Sequence, residues 1–286
     1  MKPPPFGYSR PESVVEALST LASLGPDGKV LAGGQSLLPI LSMRLAAPHH
    51  LVDINRLAEL DYVRSDASTV RVGALARHAR VLADAGARAA QPLLAQALRL
   101  VAHATIRNRG TTLGSIVHAD PSGEMTAVLA LLDGSVRVAG ASNERQVPAG
   151  EFFRGPLESA VQAGELAVEA SFPALAPRAG TAFVEVSRRH GDYAVCGVAA
   201  LVEIDVDRAV VVARTAYLSV SPIPLVLDLC ETAGDFAAAA ALARERLDPE
   251  PDIHASADYR RHLAGVLTER ALRGAHAAAV ERSAHV

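Results

Sequence analysis

The sequence predicts an α+β protein with two N-terminal lobes, residues 1–55 and 56–175, and a smaller C-terminal domain, residues 176–286. In the first 55 residues, short apolar runs alternate with stretches of helical period, as in a β-α-β unit. Between residues 181 and 219, three apolar runs follow one another, which indicates an antiparallel meander. Pro, Ala and Gly dominate residues 173–180, a composition typical of a boundary between domains.

The first lobe is predicted to hold two strands and two helices. Ser13 and Glu16 fit a capping box for a helix over residues 9–25, and Gly25 is a suitable end for it. The remaining elements are a strand at 29–32, a helix at 36–45 and a strand at 50–54.

The second lobe alternates strands and helices around a loop rich in Gly, Thr and Ser at residues 108–115. Asp120 is predicted to cap the next helix, with Pro121 at its first position. The other elements are a strand at 70–74, helices at 93–103 and 125–132, and a half-buried strand at 165–173.

The C-terminal domain is predicted to combine a three-stranded antiparallel sheet with two helices. Asp205 and Asp207 lie at the predicted turn between its last two strands. The predicted strands cover 181–187, 197–206 and 209–219, and the helices cover 234–246 and 256–273.

Composition excludes several classes of function. Lys and Arg number 28 against 31 Asp and Glu, and no basic run is interleaved with aromatic residues, so the chain lacks the charge pattern of a nucleic-acid-binding protein. Its longest apolar run, residues 194–202, is too short to span a membrane. The first six residues have no apolar signal-peptide core, so we expect the protein in the cytosol. Two cysteines cannot supply the four ligands that an iron–sulfur cluster usually takes.

The sequence offers no self-contained catalytic machinery. It lacks GxSxG, HExxH, GxxxxGK[ST] and a complete GxGxxG, so no nucleophile, metal ligand set or standard Rossmann site is predicted. Histidines are scattered, and neither His49-His50 nor His118 with Asp120 forms a convincing metal pair. We therefore predict no catalytic residue and no metal ligand in this chain.

Two loops are suited to an anion instead. Ala32-Gly33-Gly34-Gln35-Ser36 lies between a predicted strand and helix, where glycines let a ligand approach backbone N–H groups closely. On the residues alone, a plain strand–helix turn explains that loop equally well. The second loop, residues 107–115, is rich in hydroxyl and amide groups. With one loop in each lobe, the pair could close on a single diphosphate ligand.

These loops and two later segments resemble the FAD-binding medium subunits of molybdenum hydroxylases, the xanthine dehydrogenase and carbon monoxide dehydrogenase family. AGGQS at 32–36 is similar to the family's AGG[HQ]S loop, and IRNRGTTLGSIVHAD at 106–120 to its IRNRGTIGGSLAHAD segment. RRHGDYA at 188–194 resembles its RRxGDYA element, and YRRHL at 259–263 fits its C-terminal helix. The resemblance runs end to end and keeps the order of the motifs.

The resemblance implies a PCMH-type FAD-binding fold in the N-terminal lobes, with FAD as the cofactor and an electron-transfer function. A small partner would hold two [2Fe–2S] clusters and a large partner the molybdopterin, in a dimer of heterotrimers. It implies cofactor contacts at Ala32, Gly33, Gly34, Gln35, Ser36, Thr111, Gly114, Ser115, Glu124, Asp192 and Tyr193. Without the resemblance, Tyr193 would be interpreted as a half-buried core residue.

One position departs from the family pattern. Leu113 stands where relatives have the first glycine of a Gly-Gly pair. If that glycine provides a positive φ, Leu113 costs about 1 kcal/mol or more. Two alternatives therefore stay open: a non-redox scaffold with a decayed flavin site, and a self-contained flavin oxidase of related fold.

Overall fold

A computed structural model describes residues 2–284 and places their strands in four sheets. The first sheet is parallel, in the order β1-β3-β2, and it confirms the predicted β-α-β unit while adding the unpredicted strand β1. Its elements are β1 (Gly7–Ser9), α1 (Val14–Leu24), β2 (Gly28–Leu31), α2 (Leu37–Ser42) and β3 (His50–Asp53). The Ser13 hydroxyl accepts the Glu16 N–H at 3.1 Å, so the predicted cap is confirmed.

The second sheet is antiparallel, in the order β4-β5-β10-β6-β7, with a small hairpin, β8-β9, beside it. Its strands and that hairpin are β4 (Val63–Ser65), β5 (Thr69–Gly73), β6 (Ser135–Ala139), β7 (Glu144–Pro148), β8 (Phe153–Gly155), β9 (Glu158–Ser159) and β10 (Leu166–Pro173). The helices of this lobe are α3 (His78–Ala83), α4 (Ala85–Ala90), α5 (Pro92–Leu98), α6 (Ala104–Arg107), α7 (Thr112–His118), α8 (Glu124–Leu131) and α9 (Ala149–Phe152).

Three predictions in this lobe are wrong. The helix predicted over residues 93–103 ends at Leu98, as α5, and the next helix, α6, begins only at Ala104. The loop predicted over residues 108–115 ends early, because α7 begins at Thr112. Asp120 does not cap α8; its carboxylate accepts the Ser122 N–H at 2.8 Å and closes a separate turn. The helix begins only at Glu124, after Gly123 as its N-cap residue. An Asp followed by Pro is equally suited to both arrangements, since in each its side chain accepts from the backbone two or three residues ahead.

The C-terminal sheet is antiparallel, in the order β11-β12-β13-β14. The three predicted strands are present, and β14 is a fourth that the pattern did not predict. The elements are β11 (Ala179–Ser187), β12 (Ala194–Ile204), β13 (Val210–Leu218), β14 (Leu225–Asp228), α10 (Phe236–Arg246) and α11 (Ala257–Ser283). Helix α11 runs ten residues beyond its predicted end at 273. Small residues of this extension pack closely against the sheet, since a Cβ on Gly180 would meet backbone atoms of Ala275 and Ala279.

The C-terminal sheet is buried on both faces, which fixes its position against the second lobe. One face packs on α11 through residues such as Val198 and Val202. The other contributes Ala199, Ala216 and Leu218 to the core of the N-terminal part. The start of β12 lies beside the turn that precedes α8, because the Ser219 hydroxyl bonds to both Ala194 and Ser122. Within residues 2–284, no helix is both long and apolar enough to cross a membrane.

Candidate functional site

The two predicted loops are in direct contact. A Cβ built on Gly33 would lie 2.5 Å from the Arg109 carbonyl oxygen, 2.8 Å from Gly110 Cα and 3.0 Å from the Thr111 nitrogen. Only glycine permits this approach. Gly34 has a φ of 74°, in the left-handed region that favours glycine. Both glycines of the first loop are therefore required by geometry.

The first loop presents a row of unused hydrogen-bond donors. Among the described residues, the backbone N–H groups of Gly33, Gly34, Gln35, Ser36 and Leu37 have no protein acceptor. Ser36 precedes α2 with no hydrogen bond from its side chain. The Gln35 amide donates to the Gly33 carbonyl oxygen at 3.1 Å and thereby shapes the loop. Successive N–H groups of this kind form a cradle for an anion.

The second loop is organised by Thr111, which is buried and caps α7. Its hydroxyl accepts the Gly114 N–H at 3.2 Å, and a Cβ on Gly114 would approach that oxygen to 2.4 Å. Gly114 is therefore needed for the cap itself, and Ser115 follows it with a half-buried side chain. Leu113 lies within α7 with no positive φ, and its side chain is 1% exposed in the core. The strain expected at Leu113 is thus absent.

Two residues that the sequence analysis missed connect the loops. The Asn55 amide donates to the Ala32 carbonyl oxygen at 2.8 Å, and its oxygen accepts from the Arg77 guanidinium at 2.7 Å. Arg77 also donates to the Arg109 carbonyl oxygen at 2.6 Å. Each lies shortly after a predicted strand and beside another polar residue, and no local signal distinguishes it from a surface residue.

The remaining predicted residues lie beyond the other end of α7. Glu124 begins α8 and is partly buried, whereas Asp192 and Tyr193 are exposed, with Tyr193 at 67%. Partial desolvation raises the pKa of the Tyr193 hydroxyl, and the nearby charges of Asp120 and Glu124 raise it further. Tyr193 is therefore not a core tyrosine. Its exposed ring lies in the neighbourhood of Glu124.

Glu124 has a neighbour that sequence reasoning also missed. Burial raises the pKa of Glu124 to about 8, and the charges of Glu185 and Asp120 add to the shift. Burial likewise raises the pKa of Glu185 to about 7, and its Oε2 is buried without a hydrogen-bond partner among the described residues. Two carboxyl groups that resist ionisation thus lie in one region, beside an exposed aromatic ring.

Ser219 ties the two sides of this region together. Its N–H donates to the Pro121 carbonyl oxygen at 2.8 Å. Its hydroxyl donates to the Ala194 carbonyl oxygen at 2.7 Å and lies 2.9 Å from the Ser122 hydroxyl. The Arg260 guanidinium donates to its carbonyl oxygen. Ser219 holds these contacts at a φ of 62°, which is strained for any residue with a Cβ.

The donor set fits a dinucleotide such as FAD. The first loop offers N–H groups, and Arg77 and Arg109 add positive charge with no carboxylate within salt-bridge distance among the described residues. The Glu124 and Tyr193 region is separated from the loops by seven residues of α7, about 10 Å of helix. A diphosphate and an aromatic ring system joined by a chain suit these two places.

Comparison with known proteins gives matches over nearly the whole chain. Residues 4–175 match the family model described as FAD binding domain in molybdopterin dehydrogenase. Residues 181–275 match the CO dehydrogenase flavoprotein C-terminal domain.

Relatives of known name cover the chain from end to end. The 6-hydroxypseudooxynicotine dehydrogenase complex subunit alpha of Paenarthrobacter nicotinovorans is 40% identical over 95% of both chains. The caffeine dehydrogenase subunit beta of Pseudomonas sp. strain CBB1 is 39% identical over 100% of this chain and 98% of its own. A solved structure of carbon monoxide dehydrogenase from Hydrogenophaga pseudoflava superposes with a TM-score of 0.92 at 36% identity, covering 97% of this chain and 99% of that one.

Proposed function

Because the chain belongs to the family of FAD-binding subunits of molybdopterin dehydrogenases, we propose that its two contacting loops hold the FAD diphosphate. The same proposal assigns the isoalloxazine ring to the region of Glu124, Asp192 and Tyr193. The fold and the FAD-dependent electron-transfer function predicted from the sequence are confirmed by the matches. The individual contact residues remain part of the proposal.

One observation carries the diphosphate assignment. Gly33 lies so close to Arg109, Gly110 and Thr111 that a single carbon atom would not fit between the loops. That contact places the first loop, with its five N–H groups that have no protein acceptor among residues 2–284, against the second loop. Such donors stabilise an anion without any side-chain rearrangement.

Each proposed contact has a distinct role. Ala32, Gly33, Gly34 and Gln35 offer backbone to the diphosphate, and Ser36 adds an unused hydroxyl. Thr111 shapes the opposite side while Gly114 and Ser115 line it. Burial raises the pKa of Glu124 to about 8, which favours its protonated form near neutral pH, and the protonated carboxyl can donate a hydrogen bond. Tyr193 can cover one face of the ring, and Asp192 borders it.

The proposed assembly divides the chemistry among chains. When bound, FAD accepts electrons singly and releases them in pairs. We propose that a small subunit with [2Fe–2S] clusters supplies the electrons and that a large molybdopterin subunit oxidises the substrate, in a dimer of heterotrimers. The matched relatives named as subunits of complexes support a multi-subunit assembly. A cytosolic location stays a prediction.

Leu113 no longer favours a decayed flavin site. Its helical backbone and buried side chain leave the loop geometry intact. No described residue pair favours a self-contained oxidase over the electron-transfer subunit.

The test is an absorbance spectrum of the purified chain before and after FAD is added. We expect flavin bands that stay with the protein through gel filtration, either in the chain alone or in the complex with its partner subunits. Gly33→Val should abolish these bands and leave a folded chain. Stoichiometric flavin in that variant would refute the diphosphate assignment.

A further inference from the structure

We propose that Asn55 and Arg77 are positioning residues that hold the two diphosphate loops at a fixed separation, a role that rests on the proposed function. Neither residue belongs to either loop. Asn55 follows β3 in the first lobe, and Arg77 precedes α3 in the second. The pair therefore joins two segments that are distant in sequence.

The hydrogen bonds form one continuous chain from loop to loop. Asn55 donates to the Ala32 carbonyl oxygen at 2.8 Å and accepts from Arg77 at 2.7 Å. Arg77 donates through its other terminal nitrogen to the Arg109 carbonyl oxygen at 2.6 Å. Ala32 and Arg109 flank the point where Gly33 contacts the second loop. The chain thus spans the junction itself.

Both ends of this chain are fixed by further contacts. The Asp53 carboxylate accepts from the Asn55 backbone and side chain at 2.9 and 2.6 Å, and it also accepts from the Tyr8 hydroxyl at 2.6 Å. On the other side, Arg77 pairs with Thr111 in an isolated antiparallel bridge. The link between Asn55 and Arg77 therefore connects two segments that further hydrogen bonds hold in place.

The partners of Arg77 identify its role. Both bonded acceptors are neutral oxygens, and among residues 2–284 no carboxylate lies within 4.0 Å of its guanidinium. Burial lowers the pKa of Arg77, and the nearby charge of Arg109 lowers it further. The planar guanidinium reaches two acceptors in fixed directions, which a lysine ammonium on its flexible stem does not reproduce. Its geometry, rather than its charge alone, sets the loop separation.

The experiment measures FAD affinity of the full chain, or of the complex if only the complex binds, in the variants Asn55→Ala and Arg77→Lys. We expect each to weaken FAD binding by about tenfold, the effect of losing a charge-assisted hydrogen bond that preorganises a site. Riboflavin, which lacks the diphosphate, serves as the second ligand, and its affinity should stay unchanged. Thermal unfolding of each variant without ligand verifies folding.

Two controls separate positioning from general effects. Arg80→Lys removes an arginine three residues away whose side chain, among residues 2–284, bonds to Asp61 and to no atom of either loop. It should leave FAD affinity unchanged. The double variant, Asn55→Ala with Arg77→Lys, should bind FAD about as tightly as the single variant with the lower affinity. Either single change already breaks the chain of hydrogen bonds between the loops, so the second change has no further link to remove.

Three results overturn the inference. Arg77→Lys with wild-type affinity would show that charge alone suffices. Additive losses in the double variant would show that the two residues act separately. Equal losses for FAD and riboflavin would place the effect away from the diphosphate. Wild-type protein that binds no FAD, alone or in the complex, would instead refute the proposed function itself.

Discussion

Gly33→Ala is the smallest change that tests the contact between the loops. The added carbon would lie 2.5 Å from the Arg109 carbonyl oxygen and 2.8 Å from Gly110 Cα. Both are backbone atoms, so no side chain can rotate away. The same Arg109 oxygen also accepts the 2.6 Å hydrogen bond that Arg77 donates. The loops must therefore separate.

The size of the effect follows from that displacement. Restoring ordinary contact requires a movement of about 0.9 Å at the Arg109 oxygen, and overpacking of this kind typically costs about 1–3 kcal/mol. The hydrogen bonds through Asn55 and Arg77 hold the loops closed without ligand as well, so about 1 kcal/mol of this cost lowers the free energy of unfolding, a shift of about 2 °C. The remaining cost, about 1–2 kcal/mol, appears where FAD needs the loops closed, and FAD affinity falls about 5- to 30-fold.

The assay is a titration of the flavin-free protein with FAD, followed by fluorescence, together with thermal unfolding. Gly150→Ala is the matched control, because a Cβ at Gly150 meets no atom within 4 Å. We expect the control to match the wild type in FAD affinity and to unfold at the same or a slightly higher temperature, because alanine is favoured over glycine in helix α9 by up to about 1 kcal/mol. Unchanged FAD affinity in Gly33→Ala would refute the argument that the closed contact shapes the site.

Three further changes probe the ring region. Tyr193→Ala should alter the flavin spectrum while changing the free energy of unfolding by less than about 0.5 kcal/mol, since Tyr193 is exposed; absorbance and thermal unfolding measure the two effects. The pKa of Glu124 is about 8 in the folded protein, well above its ordinary value, so the unfolded chain loses this proton at lower pH. The free energy of unfolding therefore falls as the pH rises from about 5 to 8. Glu124→Gln should flatten that decline in thermal unfolding at a series of pH values. Ser219→Ala should lower the free energy of unfolding by about 1 kcal/mol more than Ser219→Gly, because alanine is strained at a φ of 62° and glycine is not. Denaturant unfolding of the two variants measures this difference.

Each of these expectations has a clear contrary result. A destabilised Tyr193→Ala protein with an unchanged spectrum would return that ring to a structural role. An unaltered pH profile in Glu124→Gln would show that Glu124 ionises normally, although Glu185, with its pKa near 7, leaves a residual slope in any case. Equal stability of the two Ser219 variants would show that its backbone carries no strain.

Local patterns predicted much of this fold because their causes are local. The Ser13 cap and the Gly33-Gly34 turn depend on neighbouring residues, and both are present where predicted. The start of α7 was missed although Thr112, Leu113 and Ile116 follow its buried face, because the surrounding Gly, Thr and Ser favoured a loop. For residues 108–115 the loop-like composition was given more weight than the helical spacing of the apolar residues.

What stayed hidden depends on partners far away in the chain. Asn55 and Arg77 are polar residues whose importance comes from oxygen atoms 22 to 32 residues away. Ser219 bonds to residues on three separate segments. Glu185 becomes notable because the fold buries its Oε2 with no hydrogen-bond partner among residues 2–284. A single sequence does not show which residues far apart in the chain come into contact, so these pairings could not be predicted from it.

The residues proposed to bind the diphosphate and those proposed to surround the ring come from different parts of the chain. Both loops and the Asn55–Arg77 link come from the N-terminal half of the chain. The ring region instead combines Glu124 with Tyr193 from beyond residue 176, and these segments are joined through Ser219. A change at the loops therefore acts on how tightly the cofactor is held. A change at Ser219 acts on what surrounds the ring, because it alters how the C-terminal sheet meets the turn before α8.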